Sequence, residues 1–307
     1  NIGALGGRMP GIVIQHFDGF DAQQVAFSDY VIDESSLNNL WGEGLYAGSM
    51  KDLDIIISNA EEEGNNFYLG VAKIMMAQNL GLATTFWGDI PFSEAFAGVD
   101  NLTPIYDSQE SIYADIQRLL TEGIAALSSN DPTSLEPREG DLIFGGDISL
   151  WVKTARSLQA RYLLQLTKRD AGNAQSALDA LNAGDGAISS NEEIPYVFFE
   201  SAATAANPYA QFGTQRPKTM IVNNNFVTMM NGDPRQSVYM VQDGDQYLFF
   251  EETSPEDTDL FWSTNSSPIP FISYTEVKFI EAEAIERTGG DGSTALQEAI
   301  EANFDQL

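Results

Sequence analysis

The sequence contains no cysteine and a single histidine, His16, among its 307 residues. The lack of cysteine excludes thiol catalysis, thiolate metal sites and disulfide bonds. One histidine excludes a zinc site built from several His side chains, and a Ser-His-Asp triad would have to use His16. Because no G-x-S-x-G motif accompanies it, we interpret His16 as a loop or helix-end residue that makes a local hydrogen bond.

Basic residues are also scarce. The chain has 15 Lys and Arg against 45 Asp and Glu, which gives a formal net charge of -30. Such a charge repels phosphate backbones and anionic lipid headgroups, so we expect no nucleic-acid partner. No apolar run approaches the roughly 18 residues that a membrane-spanning helix needs, so we expect no membrane-spanning helix. The composition, 43% hydrophobic and 11% aromatic, is typical of a globular protein with a large core.

Motifs for nucleotides and metals are missing as well. Neither a P-loop nor a G-x-G-x-x-G stretch occurs, and no calcium-binding loop of the D-x-[DN]-x-[DN]-G type is present. The sequence therefore predicts no cofactor and no metal site.

Helical periodicity dominates what is present. Apolar residues recur at intervals of three and four from Phe67 to Phe86, and Gly88 and Pro91 are expected to end that helix. Similar spacing predicts helices in six further segments: 36–60, 108–127, 147–170, 174–181, 272–290 and 293–307.

Capping signals mark several of these helix ends. Ser108 is a predicted N-cap, and Asn130 to Pro132 is predicted to close the same segment. Ser273 and Glu276 form a capping box, while Gly289 occupies the position of a C-terminal cap. We attribute Gly42, Gly44 and Gly48 to close packing of a neighbouring element, because glycine otherwise weakens a helix.

From about residue 188 to residue 270 the periodicity gives way to Asn, Pro, Thr and scattered aromatic residues. We predict loops with one or two short strands, interrupted by a helix near Thr219 to Met230. The expected fold is mainly α, a tetratricopeptide-like superhelix of helical hairpins with this loop-rich excursion. We expect a single domain over 1–307, with the helical scaffold at about 36–183 and 272–307.

Charged clusters allow two kinds of chemistry. Paired carboxylates would suit glycoside hydrolysis, but Glu281, Glu283 and Glu286 on one predicted helix are typical of a solvated or ion-paired face. Five basic residues lie between Lys153 and Arg169. They are most simply counter-charges for acidic neighbours, and a phosphate or sulfate site is the sharper alternative.

Aromatic residues in the excursion favour ligand binding. Flat rings beside amide and hydroxyl side chains suit a carbohydrate, whose C–H faces stack while its hydroxyls form hydrogen bonds. The alternative is that some rings only anchor the loops to the helical body. The predicted ligand-binding residues are Tyr196, Tyr209, Phe212, Phe261 and Trp262.

Four segments in order resemble the SusD/RagB family, and more closely its SusD-like branch. They are "FYLGVAKIMMAQNLGLATTFWGDIPFSEAF", "DLIFGGDISLWVKTARSLQARYLLQLTKRD", "NNNFVTMMNGDPRQSVYM" and "ISYTEVKFIEAEAIERTGG". The resemblance implies a tetratricopeptide-like scaffold displayed on a Bacteroidetes outer membrane by an N-terminal lipid anchor. It also implies a partnership with a TonB-dependent SusC-like transporter, and it assigns the "FWGDIP" junction to the scaffold.

Two departures accompany the resemblance. The lipid-bearing cysteine of the family is not in this sequence, and the chain stops soon after the fourth segment, where relatives usually continue. The leading hypothesis is a non-enzymatic cell-surface protein that binds an oligosaccharide or another nutrient and delivers it to the transporter. The alternatives are a helical glycoside hydrolase with paired carboxylates and a peptide-binding helical scaffold.

Overall fold

The computed structural model describes residues 2–129, 140–202, 204–250 and 260–307. In this part of the chain the structure is mainly helical, as predicted. The helices are α1 (Ile2–Val13), α2 (Gln24–Ser28), α3 (Lys51–Glu63), α4 (Asn66–Trp87), α5 (Gln109–Leu127), α6 (Ile148–Gln165), α7 (Asn173–Asn182), α8 (Pro208–Gln215), α9 (Asn224–Met229), α10 (Gln236–Tyr239), α11 (Tyr274–Arg287) and α12 (Ser293–Gln306). The strands are β1 (Phe17–Gly19), β2 (Tyr196–Val197), β3 (Met220–Val222), β4 (Val241–Asp243), β5 (Gln246–Leu248) and β6 (Ile269–Pro270).

The residues group into two compact units. Unit 1 comprises Asn1–Gly44, Tyr196–Ile269 and Leu307, and unit 2 comprises Leu45–Pro195 and Pro270–Gln306. The prediction of one domain over the whole chain stays a prediction.

Unit 2 is a succession of helices in which each packs on the next. The order is α3, α4, α5, α6, α7, α11 and α12, so antiparallel neighbours bury their apolar stripes against each other. This arrangement is the tetratricopeptide-like stacking that the periodicity predicts. None of the helices in the described ranges combines the length and the apolar character that crossing a bilayer requires.

The end of α4 explains the segment that follows it. Gly88 ends the helix with a φ of 75° and a ψ of -113°, a conformation that favours glycine. Ile90 and Asp107 then exchange backbone hydrogen bonds of 3.1 and 3.0 Å. The Asp107 carboxylate accepts hydrogen bonds from the backbone N–H groups of Phe92 and Ser93 and from the Ser93 hydroxyl. The Asp107 carboxylate therefore contributes three of the hydrogen bonds that hold the junction after α4.

Asp107 should make the stability of unit 2 depend on pH. Partial burial raises the pKa of Asp107, but the hydrogen bonds from Ser93 and Phe92 outweigh it and hold the pKa below its ordinary value of 3.8. A lowered pKa stabilises the fold above that ordinary value, and the contribution disappears as the pH falls through the lowered one. We expect Asp107→Asn to lower the free energy of unfolding by about 1 kcal/mol at neutral pH.

Urea unfolding of both proteins at about pH 7 and about pH 2.5 measures this contribution. The difference between wild type and Asp107→Asn should shrink at the lower pH. A difference that stays constant would assign the loss to packing rather than to the carboxylate charge.

Unit 1 combines short helices with short strands. β1 pairs with β3, and β4 pairs with β5, both antiparallel. These elements enclose a buried apolar cluster whose members come from distant parts of the chain: Ile12, Phe27, Phe212, Met220, Val222, Met230, Met240, Phe249 and Phe250. The cluster brings α1 and α2 together with α8.

Several local predictions differ from the structure. The helix predicted near Thr219 to Met230 is wrong at its start, because Met220–Val222 pairs as β3 and only Asn224–Met229 is helical. The excursion also contains α8 and α10, so it is more regular than predicted. Close packing is wrong as the reason for Gly42, since a Cβ there would meet nothing within 4 Å.

Predicted caps are confirmed at three helix ends. Ser108 and Ser273 accept hydrogen bonds from the N–H groups of Ser111 and Glu276, and Gly289 has a φ of 85°. The predicted closing signal at 130–132 lies outside the described residues.

Candidate functional site

Unit 1 contains a cavity whose lining is part polar and part apolar. Its volume is about 320 Å³, at the lower end of the range for small-molecule sites. It is bordered by α1, by α2 with the residue before it, and by the loop that follows α2. The lining residues are Arg8, Met9, Gln23, Gln24, Ala26, Phe27, Val31, Asp33, Ser35, Ser36, Leu37, Asn39 and Leu40.

Arg8 is the one cation among these lining residues. Its guanidinium carbon lies 4.2 Å from the centre of the Phe212 ring, which is a cation–π contact. Burial lowers the pKa of Arg8, the Tyr209 phenol acts in the opposite direction, and Arg216 lowers the pKa further. In the part of the chain that the structure describes, no carboxylate forms an ion pair with Arg8. A guanidinium stacked on a ring keeps its N–H edges directed outward in the guanidinium plane.

Gln24 contributes an amide from the first residue of α2. The residue is only 1% exposed, and its Oε1 has no hydrogen-bond partner among the described residues. A buried amide oxygen without a partner loses the hydrogen bonds that it had in water. Since Gln24 lines the cavity, a hydroxyl donor bound there would remove this penalty.

Asp33 is an exposed carboxylate in the loop that borders the cavity. Its Oδ1 accepts hydrogen bonds from the N–H and hydroxyl of Ser35 and from the hydroxyl of Ser36. The Ser35 hydroxyl is the largest of the causes that lower the pKa of Asp33. The group is therefore ionised at neutral pH, and its Oδ2 can accept hydrogen bonds from a ligand.

The five residues predicted from the sequence all belong to unit 1, and none lines this cavity. Phe212 is 9% exposed and supports Arg8. Tyr209 is packed on α1, where a Cβ at Gly7 would lie 1.7 Å from its hydroxyl oxygen. Burial raises the pKa of Tyr209 to about 12, although Arg8 opposes the shift.

Of the other three predicted rings, Trp262 is exposed, whereas Tyr196 and Phe261 are half-buried. Trp262 is 37% exposed and meets Phe261 edge to face, with ring centres 4.7 Å apart. The ring centres of Tyr196 and Phe198 are 6.1 Å apart, and Phe198 is 63% exposed. Accessible rings of this kind can stack on a ligand, so their binding role stays a prediction.

Sequence reasoning missed Arg8, Gln24 and Asp33. One signal was available, since Arg8 is the only basic residue before Lys51 in a strongly acidic chain. No comparable signal marks Gln24, because its missing hydrogen bond is visible only in the folded structure.

A second cavity, in unit 2, is acidic. Its volume is about 330 Å³, and its lining includes Glu192, Glu298, Glu301 and Asp305. Glu298 pairs with Lys278 at 2.5 Å, and a hydrogen bond from Ser190 lowers the pKa of Glu192. Within the described ranges, no three Asp, Glu or His side chains are grouped so that they could hold a metal ion.

Comparison with known proteins identifies the family. The model of the SusD-like_2 family, described as "Starch-binding associating with outer membrane", matches residues 11–307. Among curated proteins, no match to this chain was found.

Solved structures have the same fold. A SusD/RagB family protein from Bacteroides thetaiotaomicron is 26% identical with a TM-score of 0.80, and the match covers 97% of this chain and 66% of that one. A chitin-binding SusD homolog from Flavobacterium johnsoniae is 18% identical, with a TM-score of 0.79 and coverages of 99% and 69%. This chain thus spans about two thirds of the length of these structures. The resemblance seen in the sequence is confirmed, and the chain belongs to the SusD-like family.

Proposed function

We propose that this protein binds an oligosaccharide at the cell surface and passes it to a SusC-like, TonB-dependent transporter. The family description and the chitin-binding relative favour a carbohydrate ligand. The observation that carries the proposal is the cavity of unit 1 that Arg8 lines, which we call the Arg8 cavity. Amide, hydroxyl and charged groups are among the groups that line its space of about 320 Å³. A small number of donors and acceptors placed in a pocket is what orients a bound sugar.

The cavity favours binding over hydrolysis. A glycosidase of the usual kind needs two carboxyl groups that flank the scissile bond. Among the lining residues of the Arg8 cavity, Asp33 is the only carboxylate. We therefore propose that the protein has no glycosidase activity of its own.

The acidic cavity of unit 2 is where the alternative of a hydrolase has to be considered. It offers several carboxylates, but a general acid needs a raised pKa, and the pKa of Glu192 is lowered. This direction counts against Glu192 as a general acid.

A panel of plant, host and microbial polysaccharides tests the proposal. Affinity gel electrophoresis should show retardation by at least one glycan, and chromatography after prolonged incubation should show that the glycan is intact. Binding without cleavage supports the proposal. Shortened products would establish a hydrolase. If no glycan retards the protein, the proposal of a carbohydrate ligand is wrong.

The transporter partner and the outer-membrane location rest on family membership. Co-purification from the native membrane with a TonB-dependent transporter is the expected result. Recovery of the protein without any transporter would contradict the partnership.

Trp262 is expected to stack on the glycan that the panel identifies. Trp262→Ala should weaken binding about 3- to 10-fold, the equivalent of the 0.5 to 1.5 kcal/mol typical of aromatic contacts. Isothermal titration calorimetry measures the change. Tyr106, a 73% exposed ring of unit 2, gives the matched control, and Tyr106→Ala should leave the affinity unchanged. Equal losses in both variants, or no loss at Trp262, would remove Trp262 from the binding site.

A further inference from the structure

Arg8 belongs to the minority of basic side chains that pair with no carboxylate in the described part of this chain, whose net charge is -30. Most of the Lys and Arg side chains described in the structure have a carboxylate within ion-pair distance, and exposed helices carry several such pairs. The acidic residue nearest to Arg8 in the sequence is Asp18, and Arg8 forms no ion pair with any described carboxylate. A partly buried guanidinium without a counter-ion retains a strong preference for an anion.

The surroundings of Arg8 prepare it for that anion. The Phe212 ring lies against the guanidinium, whose carbon is 4.2 Å from the ring centre, so this contact restricts where the group can move. Burial is the largest cause that lowers the pKa of Arg8, and the positive charge of Arg216 lowers it further. A planar, pre-oriented guanidinium matches a carboxylate through two parallel N–H···O bonds.

The rest of the cavity selects against other anions. Asp33 is ionised and borders the same space, so a doubly charged phosphate would meet repulsion without a second cation among the lining residues. Gln24 offers a buried, unpaired amide oxygen that needs a hydroxyl donor. Ser35, Ser36 and Asn39 add further hydrogen-bonding groups along the wall.

We propose that the Arg8 cavity binds a sugar unit that carries a carboxylate, a hexuronic acid, with the carboxylate on Arg8 and a hydroxyl on Gln24. This inference rests on the proposed carbohydrate-binding function and names the class of sugar. The net negative charge of the protein does not prevent such binding. At physiological ionic strength the screening length is about 8 Å, so distant carboxylates act weakly on a carboxylate held against Arg8.

Calorimetry with matched sugars tests the proposal. The probes are trisaccharides of galacturonic and of glucuronic acid, each compared with its carboxyl-reduced neutral counterpart, which differs only at the carboxylate. The wild-type protein should bind at least one uronate about tenfold or more tightly than its neutral counterpart. This factor corresponds to one charged hydrogen-bond pair.

Two substitutions of Arg8 assign the effect to its guanidinium. Arg8→Gln should weaken uronate binding about 10- to 100-fold and change neutral-sugar binding less than about threefold. Arg8→Lys keeps the charge but loses the paired N–H geometry, so an intermediate loss is expected. Arg169→Gln removes the same charge from an exposed position of unit 2 and should change neither affinity.

Gln24→Met provides a test that does not depend on Arg8. Because the Gln24 Oε1 has no partner in the free protein, the near-isosteric change should leave the melting temperature unchanged or raise it. Uronate affinity should nevertheless fall about 5- to 10-fold, since a ligand hydroxyl loses its acceptor. A purely structural Gln24 would instead lower the melting temperature.

The outcomes separate the inference from the proposed function. Equal affinity for uronate and neutral sugar, or equal loss of both in Arg8→Gln, overturns the carboxylate assignment and leaves carbohydrate binding intact. The carboxylate assignment is also overturned if the protein binds neither uronate but does bind a neutral polysaccharide from the panel. No binding of any glycan overturns both.

Discussion

Replacing Arg161 with methionine is expected to lower the free energy of unfolding by about 3 kcal/mol. Arg161 of α6 donates to both carboxylate oxygens of Glu276 in α11, at 2.6 and 2.7 Å. It also donates to the side-chain oxygen of Gln78 in α4 at 3.0 Å and to the backbone carbonyl of Phe271 at 2.9 Å. One guanidinium therefore connects three helices of unit 2.

The size of the effect follows from what the substitution leaves behind. Methionine fills a similar volume but donates no hydrogen bond, so the carbonyl of the half-buried Phe271 loses its donor from Arg161. The side-chain oxygen of Gln78 loses one donor and keeps the other, the Tyr162 hydroxyl. The Arg161 side chain is 15% exposed, whereas that of Glu276 is 40% exposed and regains water. For this reason the expected loss stays at the lower end of the range for broken buried ion pairs.

The protonation behaviour of Arg161 agrees with a strong network. Burial lowers the pKa of Arg161, but the charge and hydrogen bonds of Glu276 and the contact with Tyr162 outweigh it, and the net shift is upward. Arg161 is thus charged throughout the neutral range.

Arg118→Met is the matched control for this prediction. Arg118 lies exposed on α5 and pairs with Asp115 at 2.7 Å and Glu122 at 3.1 Å. Exposed pairs contribute little, so its loss should cost no more than about 0.5 kcal/mol. Urea unfolding followed by far-ultraviolet circular dichroism measures both variants. Similar losses at the two positions would contradict a special role for the Arg161 network.

The helical scaffold was largely predictable because its information is local. The apolar spacing from Phe67 to Phe86, with Gly88 at the end, is sufficient to locate α4. Ser108 and Ser273 mark helix starts through side-chain hydrogen bonds that reach only three residues along the chain. Signals of this kind can be read from the sequence without knowledge of the fold.

Unit 1 was less predictable because its secondary structure depends on contacts between residues that are far apart in the sequence. Met220–Val222 becomes a strand by pairing with Phe17–Gly19, some 200 residues away. β3 does not show the alternation of polar and apolar residues that marks a half-exposed strand, because its three residues are all apolar and buried. A helix and a buried strand cannot be told apart in such a short apolar run.

The position of the candidate site was not predictable from the sequence. Aromatic residues among amides directed attention to the excursion, but the cavity is lined by residues between Arg8 and Leu40, and Phe212 lies under Arg8 rather than at the cavity wall. Arg8 comes from α1, which no helical pattern in the sequence predicts. The cavity depends on the meeting of α1 and α2 in the fold, and no local motif encodes that meeting.

Gly81→Ala is expected to lower the free energy of unfolding by about 2 kcal/mol. Gly81 lies in α4 where α6 packs closely, and a Cβ there would lie 2.2 Å from the ring and hydroxyl of Tyr162. Tyr162 is buried and donates a hydrogen bond to Gln78, so its ring has little room to move. Overpacking of this kind costs up to about 3 kcal/mol, and the better helix propensity of alanine returns about 1 kcal/mol.

Gly42→Ala separates the steric effect from helix propensity. Gly42 lies in the wide helical segment Leu40–Met50, and a Cβ there would meet nothing within 4 Å. This variant should be unchanged in stability or up to about 1 kcal/mol more stable, because alanine loses less backbone entropy on folding. A double-mutant cycle with Tyr162→Leu completes the test in urea, since removing the ring should relieve the clash at residue 81. If Gly81→Ala costs as much without the ring as with it, the close approach of α4 and α6 at Tyr162 is not the reason for this glycine.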